Sequence, residues 1–171
     1  MPGFSTAAVA RLLAADAAEL RNEVEALPAE VRSWHPAPGE WCVNEVLGHL
    51  VEAERRGFSG RIRILLDSEN PQLETWNQEE VARERRDCDR EGPEVLAELL
   101  AERVISVELV EGLSDESLGR GGVHVTIGPV TVGELLQEWV HHDRRHLKQI
   151  LSNVQAYAWE GMGSTQKFSD V

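Results

Sequence analysis

His142 and His146 lie four residues apart in the stretch Thr131 to Val154, TVGELLQEWVHHDRRHLKQILSNV, and that spacing can do chemistry. One helical turn rises ~5.4 Å and side chains on one face lean the same way, so two such imidazoles can point at a common atom. Neutral imidazole is the commonest side-chain ligand for metal ions, which makes the pair half of a metal site. Taken alone, the pair also reads as two hydrogen-bonded core residues, so a third ligand has to come from elsewhere in the chain. His49 is the candidate, with Glu45 one turn before it and Glu52 three residues after it. Carboxylates so placed can orient a ligand histidine or accept a proton, and Asp143 can do so less directly. Each of the three also reads as a solvated or ion-paired surface residue, Asp143 above all.

These histidines need helices to hold them. Thr131 and Glu134 stand in capping-box spacing, and Leu135, Trp139, His142, His146 and Ile150 follow in steps of three and four, so a helix starts there with both histidines on its inner face. His141 is turned roughly 100° from His142 and falls off that stripe. His49 sits in a second predicted helix, from about Cys42 to about Asn70, whose inward stripe includes Val46, Leu50, Ala53, Ile62, Leu65 and Leu66 and which ends before Pro71. A first helix runs from Ser5 or Thr6 through Val9, Leu12, Leu13, Ala17, Leu20, Val24 and Leu27 to Pro28. A third runs from Pro93 through Val95, Leu96, Leu99, Leu100, Val104, Val107, Leu109 and Val110 to Gly112. The fold class is therefore all-α.

Three connections remain. Residues 71–91 carry a charge run and read as a short surface helix within a crossing segment. Before the last helix, Val123, Val125 and Ile127 alternate with His124 and Thr126, which predicts an extended segment or small hairpin with His124 and Thr126 sharing a face. From about 160 to 171 the composition is that of a loose tail.

Composition narrows the function. At 171 residues the expectation is one domain spanning 1–171, large enough to bury a core unaided. The net charge of −13 argues against binding nucleic-acid phosphates. No stretch approaches the ~18 to 20 apolar residues of a membrane span. The N-terminus lacks a basic leader and carries Asp16 and Glu19, so a cytoplasmic protein is expected. Cys42 and Cys88 make no CxxC pair, and a reducing compartment leaves them as thiols.

The segment WHPAPGEWCVNEVLGHLVEAE, followed about ninety residues later by GPVTVGELLQEWVHHDRRHLKQI, resembles the DinB/YfiT-like superfamily of small metal-binding bundles. The resemblance implies an up-down-down-up four-helix bundle with one long crossover and one divalent ion held by His49, His142 and His146. One departure is Cys42, where such proteins commonly have Ser or Thr at the start of the second helix. Cys42 is also about 10.5 Å along the axis from His49, too far to join those ligands.

Three converging imidazoles leave a coordination position open, the arrangement of a catalytic site. Zn²⁺ or Ni²⁺ suits them best, with Mn²⁺ or Fe²⁺ as alternatives. The resemblance implies either a metal-dependent enzyme, of the hydrolase type or the type that transfers low-molecular-weight thiols, or a metal-binding stress-related or structural module without turnover. A small-molecule substrate is expected at the end of the bundle, in a pocket formed by the 114–130 segment, with His124 or Thr126 facing the metal, and by the connecting tryptophans. Dimers are frequent in such bundles, so a homodimer stays open.

Overall fold

The computed structural model describes residues 3–170. Ser5 caps α1 (Thr6–Ala26) by accepting the Ala8 N–H, and Pro28 opens the single turn α2 (Ala29–Arg32). Next, α3 (Val43–Glu52) runs through a π-helical turn (Ala53–Phe58) into α4 (Ser59–Asp67). The crossover carries β1 (Gln72–Leu73), α5 (Gln78–Arg85) and a 3₁₀ turn (Asp87–Asp89), and leads to α6 (Gly92–Glu111). A turn, α7 (Asp115–Leu118), and a hairpin of β2 (Gly121–His124) and β3 (Gly128–Thr131) precede α8 (Val132–Gly161), and 3₁₀ turns follow over Gly163–Asp170. The predicted capping box of Thr131 and Glu134 starts α8.

The four long pieces, α1, α3–α4, α6 and α8, make an up-down-down-up bundle in which α1 and α3 each pack on α6 and α8. Because the crossover is long, the second and third long pieces can run parallel. Among the described residues no helix is long and apolar enough to cross a membrane.

The core comes in two apolar halves. One gathers Val9, Leu13, Phe58, Ile62, Leu136 and Trp139, and the other Leu20, Val24, Val46, Leu50, Leu99 and Ile150. Along every long helix the residues between those halves are polar and buried: Asp16 on α1, His49 and Glu54 on the second piece, Arg103 and Ser106 on α6, Asp143 and His146 on α8. A polar layer therefore crosses the middle of the bundle.

Two expectations, the place of Val104 and the face of Thr126, need correction. Val104 is 60% exposed, because the inward stripe of α6 runs Leu96, Leu99, Arg103, Ser106, Val110 and puts an arginine where the apolar pattern pointed elsewhere. In the hairpin, Val123 and Val125 face solvent while Gly122 and His124 turn inward. The cause is β1, which pairs with β2 in parallel through Val123 N–H to Pro71 O and Val125 N–H to Leu73 O. Gly122 is pressed against it so closely that a Cβ there would lie 2.4 Å from Pro71 O. Thr126 falls in the turn between the strands and so does not share the face of His124.

The π-turn widens the second long helix by one residue: the Ser59 N–H reaches back five positions to Glu54 O. Next to it, a Cβ added to Gly60 would sit 2.2 Å from the Arg55 carbonyl oxygen, a backbone atom that cannot move aside. Gly60→Ala is expected to cost about 1–3 kcal/mol, as over-packing does. Urea unfolding measures this, and a change under 0.5 kcal/mol, the scale of a neutral surface substitution, would mean the π-turn does not depend on glycine.

Candidate metal centre

The three histidines meet in the polar layer. His49 Nε2 lies 3.1 Å from His142 Nε2. The ring centroid of His146 is 4.5 Å from that of His49 and 4.4 Å from that of His142. One ligand nitrogen from each falls within 4.8 Å of the others. His49 and His146 are buried and His142 is half-buried. The centre thus lies midway along the bundle, not at its end as expected, because the polar layer is where the helices leave room between the two apolar halves.

The electrostatics favour neutral rings. Burial, reinforced by the neighbouring imidazoles, pushes His49 down to about 3 and His146 down to about 4. His146 Nδ1 lies 2.9 Å from Gln149 Oε1, an acceptor, so the ring proton sits on Nδ1 and Nε2 is left with a free lone pair. The His49 and His142 Nδ1 atoms are buried with no hydrogen-bond partner among the described residues. The 3.1 Å approach of the two Nε2 atoms is met either by one ring donating to the other or by a cation that both lone pairs reach. Converging imidazole nitrogens, two of the three rings buried, are the donor set of a divalent transition-metal ion, and the residues present fit one.

A cluster of buried charges lies behind the imidazoles. Arg103 Nη2 is 2.5 Å from Glu54 Oε1 and 2.6 Å from Asp143 Oδ2, and the Ser106 hydroxyl donates to Glu54. Asp143 Oδ1 stands 3.7 Å from His142 Nδ1, beyond direct hydrogen bonding but close enough for its charge to favour a proton on that nitrogen. Burial pushes Asp143 up, yet the Arg103 guanidinium outweighs it and holds the carboxyl below its ordinary range. Burial wins at Glu54, which rises to about 7, and at Asp16, which rises to about 6 although Arg144 approaches within 2.8 Å. Asp143 is therefore no surface residue. It is turned into the bundle because α8 presents it beside the stripe, opposite the only cation buried there among the described residues.

The other candidates fall as follows. Glu45 accepts the Cys42 N–H at 2.9 Å and caps α3. Glu52 accepts from Arg56 at 2.5 Å and from Arg85 at 3.0 Å, so its carboxylate is spent in an ion-pair network with the crossover. Among the described residues, neither contacts the histidines by hydrogen bond. His49 and His142 line a cavity of about 650 Å³, and so do Arg61, Trp76, His124 and Ile127. Thr126 is exposed outside it. Trp41 and Trp76 flank His49 with centroids 5.1 Å and 5.8 Å away, while Trp34 packs edge-on to Tyr157 at the other side of the α2 connection.

A family model of the DinB superfamily matches residues 12–150. The chain belongs to the DinB superfamily. A relative from Oceanobacillus iheyensis, whose name proposes a metal-dependent hydrolase, is 28% identical over 142 residues, 82% of this chain and 80% of its own length. Among solved structures, YfiT from Bacillus subtilis, described as a probable metal-dependent hydrolase with an unusual four-helix bundle topology, superposes with a TM-score of 0.82 at 21% identity, covering 90% of this chain and 88% of its own. A conserved protein from Enterococcus faecalis gives 0.67 at 15% identity, over 86% and 94%. At those identities the two structures speak for the fold.

Sequence reasoning on this DinB-superfamily chain missed Glu54, Arg61 and Arg103. Arg103 left a signal: with Ser106 it occupies the apolar stripe of α6 at helical spacing. Glu54 left none, since the π-turn rotates it inward. The charge cluster makes a test. Folded Glu54 keeps its proton to about pH 7 and an unfolded glutamate only to about 4.5, so the native state binds more protons in that window and loses stability from this group as pH rises through it. Glutamine carries no such proton. The stability of Glu54→Gln relative to the parent is therefore expected to rise by about 3 kcal/mol between pH 4.5 and 7. Urea midpoints across that range measure it, and a constant difference would mean Glu54 titrates normally.

Proposed function

We propose that this chain is a metal-dependent hydrolase whose divalent ion is held by His49, His142 and His146. The observation that carries the reading is the convergence of three imidazoles, two of which, His49 and half-buried His142, line a cavity of about 650 Å³. A structural ion would take a closed set of four protein ligands, whereas three leave a position for water or substrate. Zn²⁺ or Ni²⁺ suits imidazole ligands best, ahead of Mn²⁺ and Fe²⁺. When bound, the ion supplies Lewis acidity and acidifies water toward a pKa of ~7.

The chain's own residues set the geometry around that ion. Asp143 biases the His142 proton to Nδ1 and Gln149 does the same for His146, so the Nε2 lone pairs face inward. Phe58, Trp76, Ile127 and Leu135 give the cavity an apolar lining that excludes water and receives the substrate's carbon skeleton. Arg61 and His124 supply polarity. The Thr126 N–H donates to His124 Nδ1, which leaves the ring proton on Nε2, 2.9 Å from Arg61 Nη2. Two donors face each other there and neither satisfies the other. A carboxylate or oxyanion of a small substrate accepts from both, which is why we assign an acidic or acyl substrate to the cavity.

The names of the relatives favour hydrolysis over thiol transfer, which the same open position allows by holding a low-molecular-weight thiolate. Protein purified without a histidine tag is expected to lose one equivalent of divalent metal, by elemental analysis, in His142→Ala. Asp143→Asn should weaken metal binding 10- to 100-fold, as the loss of a partner behind a ligand histidine does. Ester and amide hydrolysis should vanish on chelation and in His142→Ala, and thiol transfer to electrophiles should be absent. Equal metal content in parent and His142→Ala would overturn the site. Metal-dependent thiol transfer without hydrolysis would keep the site and replace the reaction.

A further inference from the structure

We propose a second divalent-metal site at the start of α3, formed by Cys42, Cys88, His35 and Glu45 and suited to Zn²⁺. It is separate from the imidazole centre and does not depend on the function proposed for that centre. Three stretches of chain meet there: the connection after α2, the first turn of α3, and the 3₁₀ turn Asp87–Asp89 of the crossover. Cys42 Sγ lies 2.7 Å from Cys88 Sγ, and His35 Nε2 lies 3.3 Å from Cys88 Sγ. Glu45 Oε2 is 3.6 Å from His35 Nδ1. One ligand atom from each of the four residues falls within 4.8 Å of the rest.

The protonation pattern is that of a ligand set. His35 Nδ1 sits 2.7 Å from the Glu40 carbonyl oxygen, which can only accept, so the ring proton is on Nδ1 and the free lone pair of Nε2 points at the sulfur. A ligand histidine that donates its other N–H to a backbone carbonyl is the usual arrangement behind a metal. Cys42 is the N-cap of α3, where the positive end of the helix dipole favours a thiolate. Burial pushes both thiols up, so it is geometry that marks the pair: the two sulfurs are crowded to 2.7 Å, closer than unbonded thiols pack.

Zn²⁺ resolves that crowding. It binds two thiolates at ~2.3 Å each, with the sulfurs opening to roughly 3.8 Å in a tetrahedron, and takes a nitrogen and an oxygen at the remaining corners. Two thiolates balance the charge of the ion, and the carboxylate leaves the site with one net negative charge. A disulfide would use the sulfurs alone and leave the His35 Nε2 lone pair without a partner. Cys88 and His35 are partly exposed, so the ion can reach the site. The site would staple the crossover to α3 and fix the position of Trp41, the neighbour of Cys42 whose ring packs on His49.

Full-length protein, reduced and stripped with a chelator, is titrated with Co²⁺ and followed in the near ultraviolet. A thiolate-to-cobalt charge-transfer band that Zn²⁺ displaces is expected, and it should persist in His142→Ala, which lacks the imidazole centre. Cys88→Ser and His35→Ala should each weaken Zn²⁺ at this site by at least ~100-fold, since even partners behind a ligand are worth 10- to 100-fold. The His35 side chain is 45% exposed, so His35→Ala keeps the test open if the cysteine variant misfolds. Absence of the band in the reduced protein overturns the proposal, as does labelling of both thiols at one rate with and without Zn²⁺. A purified protein whose thiols are already oxidised, and whose reduced form takes no Zn²⁺, is a disulfide protein and overturns it equally. The imidazole centre has no sulfur, so its own failure leaves this band untouched.

Discussion

Arg103 is the residue around which the bundle is set. Its guanidinium, buried in the middle of α6, is held between Glu54 and Asp143 and also donates to the Leu13 carbonyl at 3.0 Å, so it touches all three other long elements. Taking a guanidinium, a carboxylate and the Glu54 carboxyl out of water costs several kcal/mol per ion, and an apolar cluster of the same volume is often as stable or more so. The cluster is therefore a poor device for stability and a good one for position. Removing Arg103 would strand two carboxylates, and sliding any helix by one turn would break the set. That rigidity is passed to His142 through Asp143, its neighbour in the chain.

The π-turn is what makes the cluster possible. His49 and Glu54 are five residues apart, and a regular helix would turn their side chains about 140° from one another. The extra residue in the turn lets one helix send His49 toward α8 and, just beyond it, Glu54 toward Arg103. Such turns are found mostly at functional sites because they spend a backbone hydrogen bond to re-aim a side chain. Here the re-aimed side chain lies one layer behind the proposed ligands, with Ser59 and Ser106 hydrogen-bonded at 2.7 Å beside it.

How much of this could be read in advance follows from what each residue type ordinarily does. The capping box at Thr131, the stripes of α1, α3 and α8, the surface helix in the crossover and the inward face of His49, His142 and His146 all obey local rules of spacing, and they stand where the spacing put them. Asp16, Glu54, Arg103 and Asp143 break the rule that charged residues stay in water, and only the meeting of four helices shows why they can. The two-residue strand β1 is too short to leave a pattern, yet it decides which way the hairpin faces and so why His124, and not Val123, reaches the cavity. Glu52 looked like a partner for His49 because it is close in sequence. Arg85, thirty-three residues away, takes it instead.

The crossover links these facts. An up-down-up-down bundle needs only short loops, and such loops would leave the flank of α3 bare. The long connection instead lays Asp87 over Gly48, where a Cβ would fall 1.7 Å from the carboxylate, and pins that carboxylate with Arg85 and Arg90. The same segment stacks Trp76 beside His49 and carries Cys88 to Cys42. One stretch with almost no core of its own thus walls the imidazole centre on one side and assembles the thiol cluster on the other. Part of its hold on α3 is the seat of Asp87 on Gly48, which only a glycine at position 48 allows. The geometry of His49 therefore depends on a surface segment as much as on the core.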